Sequence, residues 1–316
     1  MIKNCKHISK KHLSIKVSAW CFCILAFLPL PTVAQEQTSY PDISTIDPDL
    51  IIPEINLGVP RPGIRVQQTP PEFSGTDVQH ILYLPQNWTP EKRYPVIVEY
   101  SGNGPYENNL SDISTGKVDG SKLGYGISGG QDFIWLCLPY ISADGLQNQT
   151  QWWGNVDATV AYCICEVKRV CENWGGDPDS IILTGFSRGA IACGYIGLHN
   201  EEIAALWKAF IPYSHYDEIK QWNYPHSDRA SATSRLKGIN HRPSFIINEN
   251  NGIEATKDFI QSTNVDAPFT YQPLGFRNHN DAWALRDIPA RRALRTCLKQ
   301  VLDSPPSPPT PQTPQK

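Results

Sequence analysis

The chain has 316 residues, 28 Lys and Arg against 31 Asp and Glu, and a formal net charge of −3 at neutral pH. Its first 34 residues carry five lysines and no acid, so a chain lacking them has 282 residues and a charge of −8. A mildly acidic chain of that size suits one large α/β domain and argues against nucleic acid or an anionic membrane as partner.

Lys3, Lys6, Lys10, Lys11 and Lys16 precede an apolar run from Val17 to Leu30, and Pro31-Thr32-Val33-Ala34 supplies small residues before Gln35. This order is that of a secretory signal peptide over residues 1–34, which places the protein outside the cytoplasm, secreted or periplasmic, with no stable membrane insertion after cleavage. Residues 35–75 are Pro-rich and polar and read as an extended arm. The main domain is expected over 76–303. The tail 304–316, with six prolines, reads as a disordered or polyproline-II extension. Beyond the leader there are six cysteines. Cys137 and Cys193 lie in apolar contexts, and Cys163-Ile164-Cys165 has no histidine cluster near it, so core packing is expected and no metal site.

Strands are expected at His80–Pro85, Tyr94–Tyr100, Phe133–Pro139, Ser180–Thr184, Lys208–Tyr213, Ser244–Asn248 and Phe269–Pro273. Helices are expected at Val156–Trp174, Arg188–His199, Glu254–Gln261 and within Asp281–Leu302. Short apolar runs alternating with helices predict a mostly parallel central sheet flanked by helices on both faces. In such sheets the functional residues follow the carboxyl ends of strands.

After the strand ending at Thr184 comes Gly185-Phe186-Ser187-Arg188-Gly189, a G-x-S-x-G sequence between strand and helix. This is the nucleophile-elbow pattern, in which the serine sits on a tight turn with its hydroxyl exposed. Ser187 then needs a base. His279 lies in a polar loop after the last strand and before the closing helix. The acid that orients it is open between Glu249, after Ser244–Asn248, and Asp217, one strand earlier. The backbone N–H groups of Arg188 and Asn103 are the candidate oxyanion donors, the second from the glycine-rich loop after Tyr94–Tyr100. Trp152 and Trp153 are candidates for an aromatic wall against a sugar or aryl group, or for core packing.

These residues together resemble the α/β-hydrolase superfamily. The stretch from Trp174 to Ala190 is most similar to the elbow region of secreted feruloyl esterases, acetyl xylan esterases and polyhydroxybutyrate depolymerases. The resemblance covers roughly residues 76–302. It implies cofactor-free hydrolysis of a carboxylic ester, small or polysaccharide-linked, through an acyl-enzyme. Two departures stand out: Asn251 occupies the usual acid position, and the elbow ends in Gly-Ala. A serine peptidase on the same fold, or a catalytically silent binding protein, is the alternative.

Overall fold

The computed structural model describes residues 40–249 and 252–304. The leader 1–34 and the tail from 305 onward lie outside the described residues, as does Asn251. The strands, in chain order, are β1 (Ile55–Asn56), β2 (Arg65–Gln68), β3 (His80–Tyr83), β4 (Tyr94–Tyr100), β5 (Tyr106–Glu107), β6 (Ile113–Ser114), β7 (Ile134–Leu138), β8 (Gly176–Phe186), β9 (Ala209–Tyr213), β10 (Ser244–Asn248) and β11 (Phe269–Pro273). The helices are α1 (Leu123–Ser128), α2 (Val156–Trp174), α3 (Arg188–Tyr195), α4 (Glu201–Ala204), α5 (Arg229–Leu236), α6 (Ile253–Thr263) and α7 (Pro289–Asp303).

Nine strands form one sheet in the order β1-β2-β3-β7-β4-β8-β9-β10-β11, and β5 and β6 pair separately. From β7 to β11 every neighbour is parallel, while β3 runs antiparallel to both β2 and β7. The strand alternation divides the core in two. On one face Val96, Val98, Leu136, Leu183 and Phe210 pack with Val160, Cys163 and Val167 of α2 and Ile191 of α3. On the other Ile97, Trp135, Ile182, Ile211 and Ile247 pack with Leu123 of α1 and Leu294 and Leu298 of α7. This is the expected mostly parallel sheet covered on both faces.

Local chemistry explains the helix bounds. The Asn155 side chain accepts the Ala158 N–H at 3.0 Å, and Gly175 closes α2 in the left-handed conformation at φ 73°. The amino end of α1 rests on a buried carboxylate: Glu99 accepts from the N–H groups of Lys122, Leu123 and Gly124, and from Trp135 Nε1.

Three details differ from the sequence reading. The sheet begins before residue 76, because β1 and β2 already pair into it, with Val66 opposite Leu82. Runs of two and four residues beside prolines are too short to show a period. The strand before Ser187, β8, starts at Gly176, before the Asp177-Pro178 turn, and bulges: Tyr94 pairs with Gly176 but Val96 with Ile181. The closing segment is broken into a 3-10 turn at Asp281–Leu285 and α7, whose first residue is Pro289. Among the described residues no helix is long and apolar enough to cross a membrane.

Candidate functional site

Four adjacent parallel strands deliver the site. Ser187 follows β8, Ser214 follows β9, Glu249 follows β10, and His279 stands in the loop after β11. Neighbouring strands are about 4.8 Å apart, so side chains at these ends converge. Backbone bonds tie the ends together: Ser187 N–H to the Tyr213 carbonyl, Ser214 N–H to that of Ile247, and Leu274 N–H to that of Asn248.

Ser187 has φ 55° and ψ −113°, the only residue of the elbow at positive φ. A non-glycine residue there is strained, and it is held because both flanking glycines are enforced. A Cβ on Gly185 would overlap the Gly189 backbone, and one on Gly189 would overlap the Tyr100 carbonyl oxygen. The turn therefore closes only with glycine at both positions. It presents the serine at the amino end of α3, where unpaired N–H groups favour negative charge.

His279 Nε2 lies 3.2 Å from Ser187 Oγ, and its Nδ1 lies 2.7 Å from Glu249 Oε1. The carboxylate accepts the Nδ1 proton, which leaves Nε2 free to accept from the serine hydroxyl. Ser214 Oγ donates to Glu249 Oε1 at 2.9 Å and lies 3.0 Å from His279 Nδ1. The imidazole packs against Phe186, with ring centres 4.9 Å apart, and Phe186 stacks on Tyr213. Such an arrangement can deprotonate a serine hydroxyl and stabilise the resulting imidazolium.

Asp217 is not part of it. Its Oδ2 accepts from Arg235 Nε at 2.8 Å and also meets the Arg235 Nη2 at 2.8 Å. Between the two candidate acids, the geometry brings Glu249 to His279 and commits Asp217 to a buried ion pair.

No family model matches the chain, and no curated protein matches it. Among solved structures, one of two fungal esterases from Rhizomucor miehei aligns over 76% of this chain and 83% of its own, at 13% identity and a TM-score of 0.51. An acetyl ester-xyloside bifunctional hydrolase from Caldicellulosiruptor lactoaceticus aligns over 77% of this chain and 97% of its own, at 13% identity and 0.50. The chain has the α/β-hydrolase fold. A thermostable esterase aligns over 75% of this chain but only 62% of its own length, at 14% identity and 0.46.

In an α/β-hydrolase fold the oxyanion donors come from the residue after the nucleophile and from an early strand–helix loop. The matching positions here are Arg188, the first residue of α3, whose N–H has no intrahelical acceptor, and the loop Ser101–Gly104 after β4. The loop lies against the elbow: Gly189 packs on the Tyr100 and Ser101 carbonyls, and Gly102 on the Phe186 ring. The Asn103 side chain is occupied, its Oδ1 accepting the Trp152 N–H at 2.8 Å, while its backbone N–H has no acceptor among the described residues.

The tandem tryptophans divide. Trp153 is core, stacked on Tyr195 with centres 4.5 Å apart. Trp152 is half-buried and packs on Trp222 and Tyr224 at 5.1 and 5.2 Å. Trp222 in turn neighbours His215, whose ring is 5.3 Å from that of His279. Burial, and second the adjacent His279, hold the His215 pKa below the ordinary imidazole value. The exposed Tyr106 of β5 also sets its ring edge-on to His279 at 5.7 Å. The imidazole thus has three ring neighbours, Phe186, His215 and Tyr106.

Sequence reasoning missed Asp112, Ser214 and the side chain of Arg188. Asp112 is fully buried and accepts the His279 N–H at 2.8 Å. Only the run of polar residues around Asn278 and Asn280 hinted that this loop needed a buried partner. A cavity of about 1210 Å³ opens elsewhere, at the amino ends of β9 and β10 beside α7, and Ser187, Glu249 and His279 do not line it.

Proposed function

We propose that this protein is an exported serine esterase that hydrolyses carboxylic esters through an acyl-enzyme on Ser187. The observation that carries the reading is the continuous line Ser187 Oγ–His279 Nε2 and His279 Nδ1–Glu249 Oε1, at 3.2 and 2.7 Å. The strained serine at a helix amino end adds to it, and two structural neighbours carry names that describe ester hydrolysis. The charged, apolar, small-residue order of residues 1–34 supports export.

Ser187 Oγ attacks the ester carbonyl carbon as its proton passes to His279 Nε2. Glu249 holds the imidazole in the required tautomer and stabilises its charged form. The carbonyl oxygen becomes an oxyanion against the N–H groups of Arg188 and Asn103. Collapse breaks the bond to the alkoxy oxygen, which takes the proton from His279 and departs as the alcohol. Water, deprotonated by the same nitrogen, attacks the acyl carbon and releases the carboxylic acid with Ser187 restored. Tyr106, Trp152 and Trp222 favour an ester with a planar or ring-bearing group on one side, aryl or sugar-linked.

The test is turnover of a short-chain aryl ester beside the matching anilide. Hydrolysis of the ester alone supports the esterase reading; comparable cleavage of the anilide moves it to a peptidase, and neither to a silent fold.

A further inference from the structure

Arg188 follows the nucleophile, yet its side chain turns away from solvent and is 1% exposed. Among the described residues no carboxylate pairs with it. Its guanidinium instead donates to three backbone carbonyls from three loops: Gly102 at 2.8 Å, Trp152 at 2.8 Å and Gly116 at 3.2 Å. Longer contacts reach the Gln149 carbonyl and Ser101 Oγ, both at 3.4 Å. The group lies 3.9 Å over the Tyr140 ring. Burial lowers its pKa to about 10, which leaves it charged at neutral pH.

The Gly102 carbonyl belongs to the same peptide unit as the Asn103 N–H. A trans peptide points its C=O and N–H in opposite directions. A donor fixed on the Gly102 oxygen therefore sets the direction of the Asn103 N–H. A charged donor also polarises the unit, making that N–H a stronger donor at its far end. Two further bonds lock the loop: Trp152 N–H to Asn103 Oδ1 at 2.8 Å, and Gly104 N–H to the Thr150 carbonyl at 3.0 Å. Trp152, at φ 51°, is held through both of its flanking peptide units, its N–H by Asn103 and its carbonyl by Arg188.

We propose that Arg188 is a positioning residue for the oxyanion site: through the Gly102 carbonyl it aims and polarises the Asn103 N–H, and through the Trp152 carbonyl it seats the aromatic segment beside it. The proposal rests on Ser187 being the nucleophile. Lysine cannot replace it, because an ammonium lacks the planar fork that spans several carbonyls at once.

The experiment compares Arg188→Met and Arg188→Lys with wild type, using fluorophosphonate titration to count competent Ser187 sites and a short-chain aryl ester for turnover. The proposal expects kcat per titrated site to fall ~10²–10³-fold in both variants, the loss typical of an oxyanion donor, with a smaller rise in KM from the loosened Trp152 segment. A fall only in the number of titrated sites, at unchanged kcat per site, would mean a purely structural role and overturn it. The Asn103 amide proton provides a second readout in the wild-type enzyme: it should move downfield when Ser187 is phosphonylated, and move less in Arg188→Lys. If neither variant folds, an Asn103 proton unmoved in wild type overturns the proposal. A wild-type Ser187 that does not label at all would instead sink the nucleophile reading beneath it.

Discussion

The backbone N–H of His279 donates to Asp112 Oδ2 at 2.8 Å, joining two positions 167 residues apart. The same carboxylate accepts Asn278 Nδ2 at 3.0 Å, Asn108 Nδ2 at 2.9 Å, and the Asn280 side-chain amide. It thereby fixes the loop that carries the imidazole from the residue itself and from both its neighbours. Removing it leaves several buried donors without an acceptor, each costing about 1–3 kcal/mol. Asp112→Ala is expected to lose about 3 kcal/mol or more in denaturant unfolding and to lower kcat well beyond KM, since His279 loses its register on Ser187.

Glu249 and Asp217 are separable by substitution. Glu249→Gln keeps the shape but cannot hold the reactive tautomer, and should lower kcat ~10³–10⁴-fold with little change in unfolding. Asp217→Asn leaves the Arg235 guanidinium short of its carboxylate in a buried setting. It should destabilise by about 3–5 kcal/mol while the folded fraction keeps its kcat. Steady-state kinetics and urea unfolding on both variants check the pair; the reverse pattern would make Asp217 the functional acid.

Ser214 is expected to act through Glu249. Its hydroxyl donates to the same Oε1 that accepts the hydrogen bond from His279 Nδ1. Ser214→Ala should lower kcat ~10-fold, the order of about one lost charge-assisted hydrogen bond, and the loss should nearly vanish in a Glu249→Gln background, where that carboxylate is gone. Additive losses in the double variant would contradict the coupling.

Acid stability is tied to His80, far from the site. Burial, and second the charge of Arg169, lower its pKa from 6.5 to about 3. The unfolded chain binds a proton below pH 6.5 that the folded ring refuses until about 3, so this group's contribution is complete above 6.5 and is lost as pH falls through that window. Its neighbour Glu166, 3.8 Å away, runs the other way: burial raises its pKa to about 7, and stability is lost as pH rises from 4.5 to 7. The two oppose each other between 4.5 and 6.5, leaving His80 to dominate this pair below 4.5. Unfolding of His80→Gln should therefore depend less steeply on pH between 4.5 and 3 than that of wild type.

Ser187 and His279 were legible as candidates because their signals are local: two glycines around a serine after an apolar strand, and a histidine after the last strand. Glu249 was legible only as one of two acids, because the choice depends on which loop reaches the imidazole. Asp217 could be set aside only once Arg235, on α5, was seen to occupy it. Asp112 and Ser214 carry no local pattern, since the site residues they touch, His279 and Glu249, lie 167 and 35 residues away. The Arg188 side chain escaped because an arginine beside a serine reads as a surface charge, and its burial depends on three separate loops folding over it. The sheet's outer strands were hidden for a plainer reason: Ile55–Asn56 and Arg65–Gln68 are too short to show alternation.

The central claim is that Ser187 is an activated nucleophile, and the most direct measurement is covalent labelling of the purified chain by a fluorophosphonate beside Ser187→Ala and His279→Ala. The account predicts stoichiometric labelling of wild type, none of Ser187→Ala, and a rate for His279→Ala lowered by ~10³-fold or more, as for loss of a general base. A folded wild-type chain that stays unlabelled, or a Ser187→Ala variant that labels as well as wild type, would contradict it.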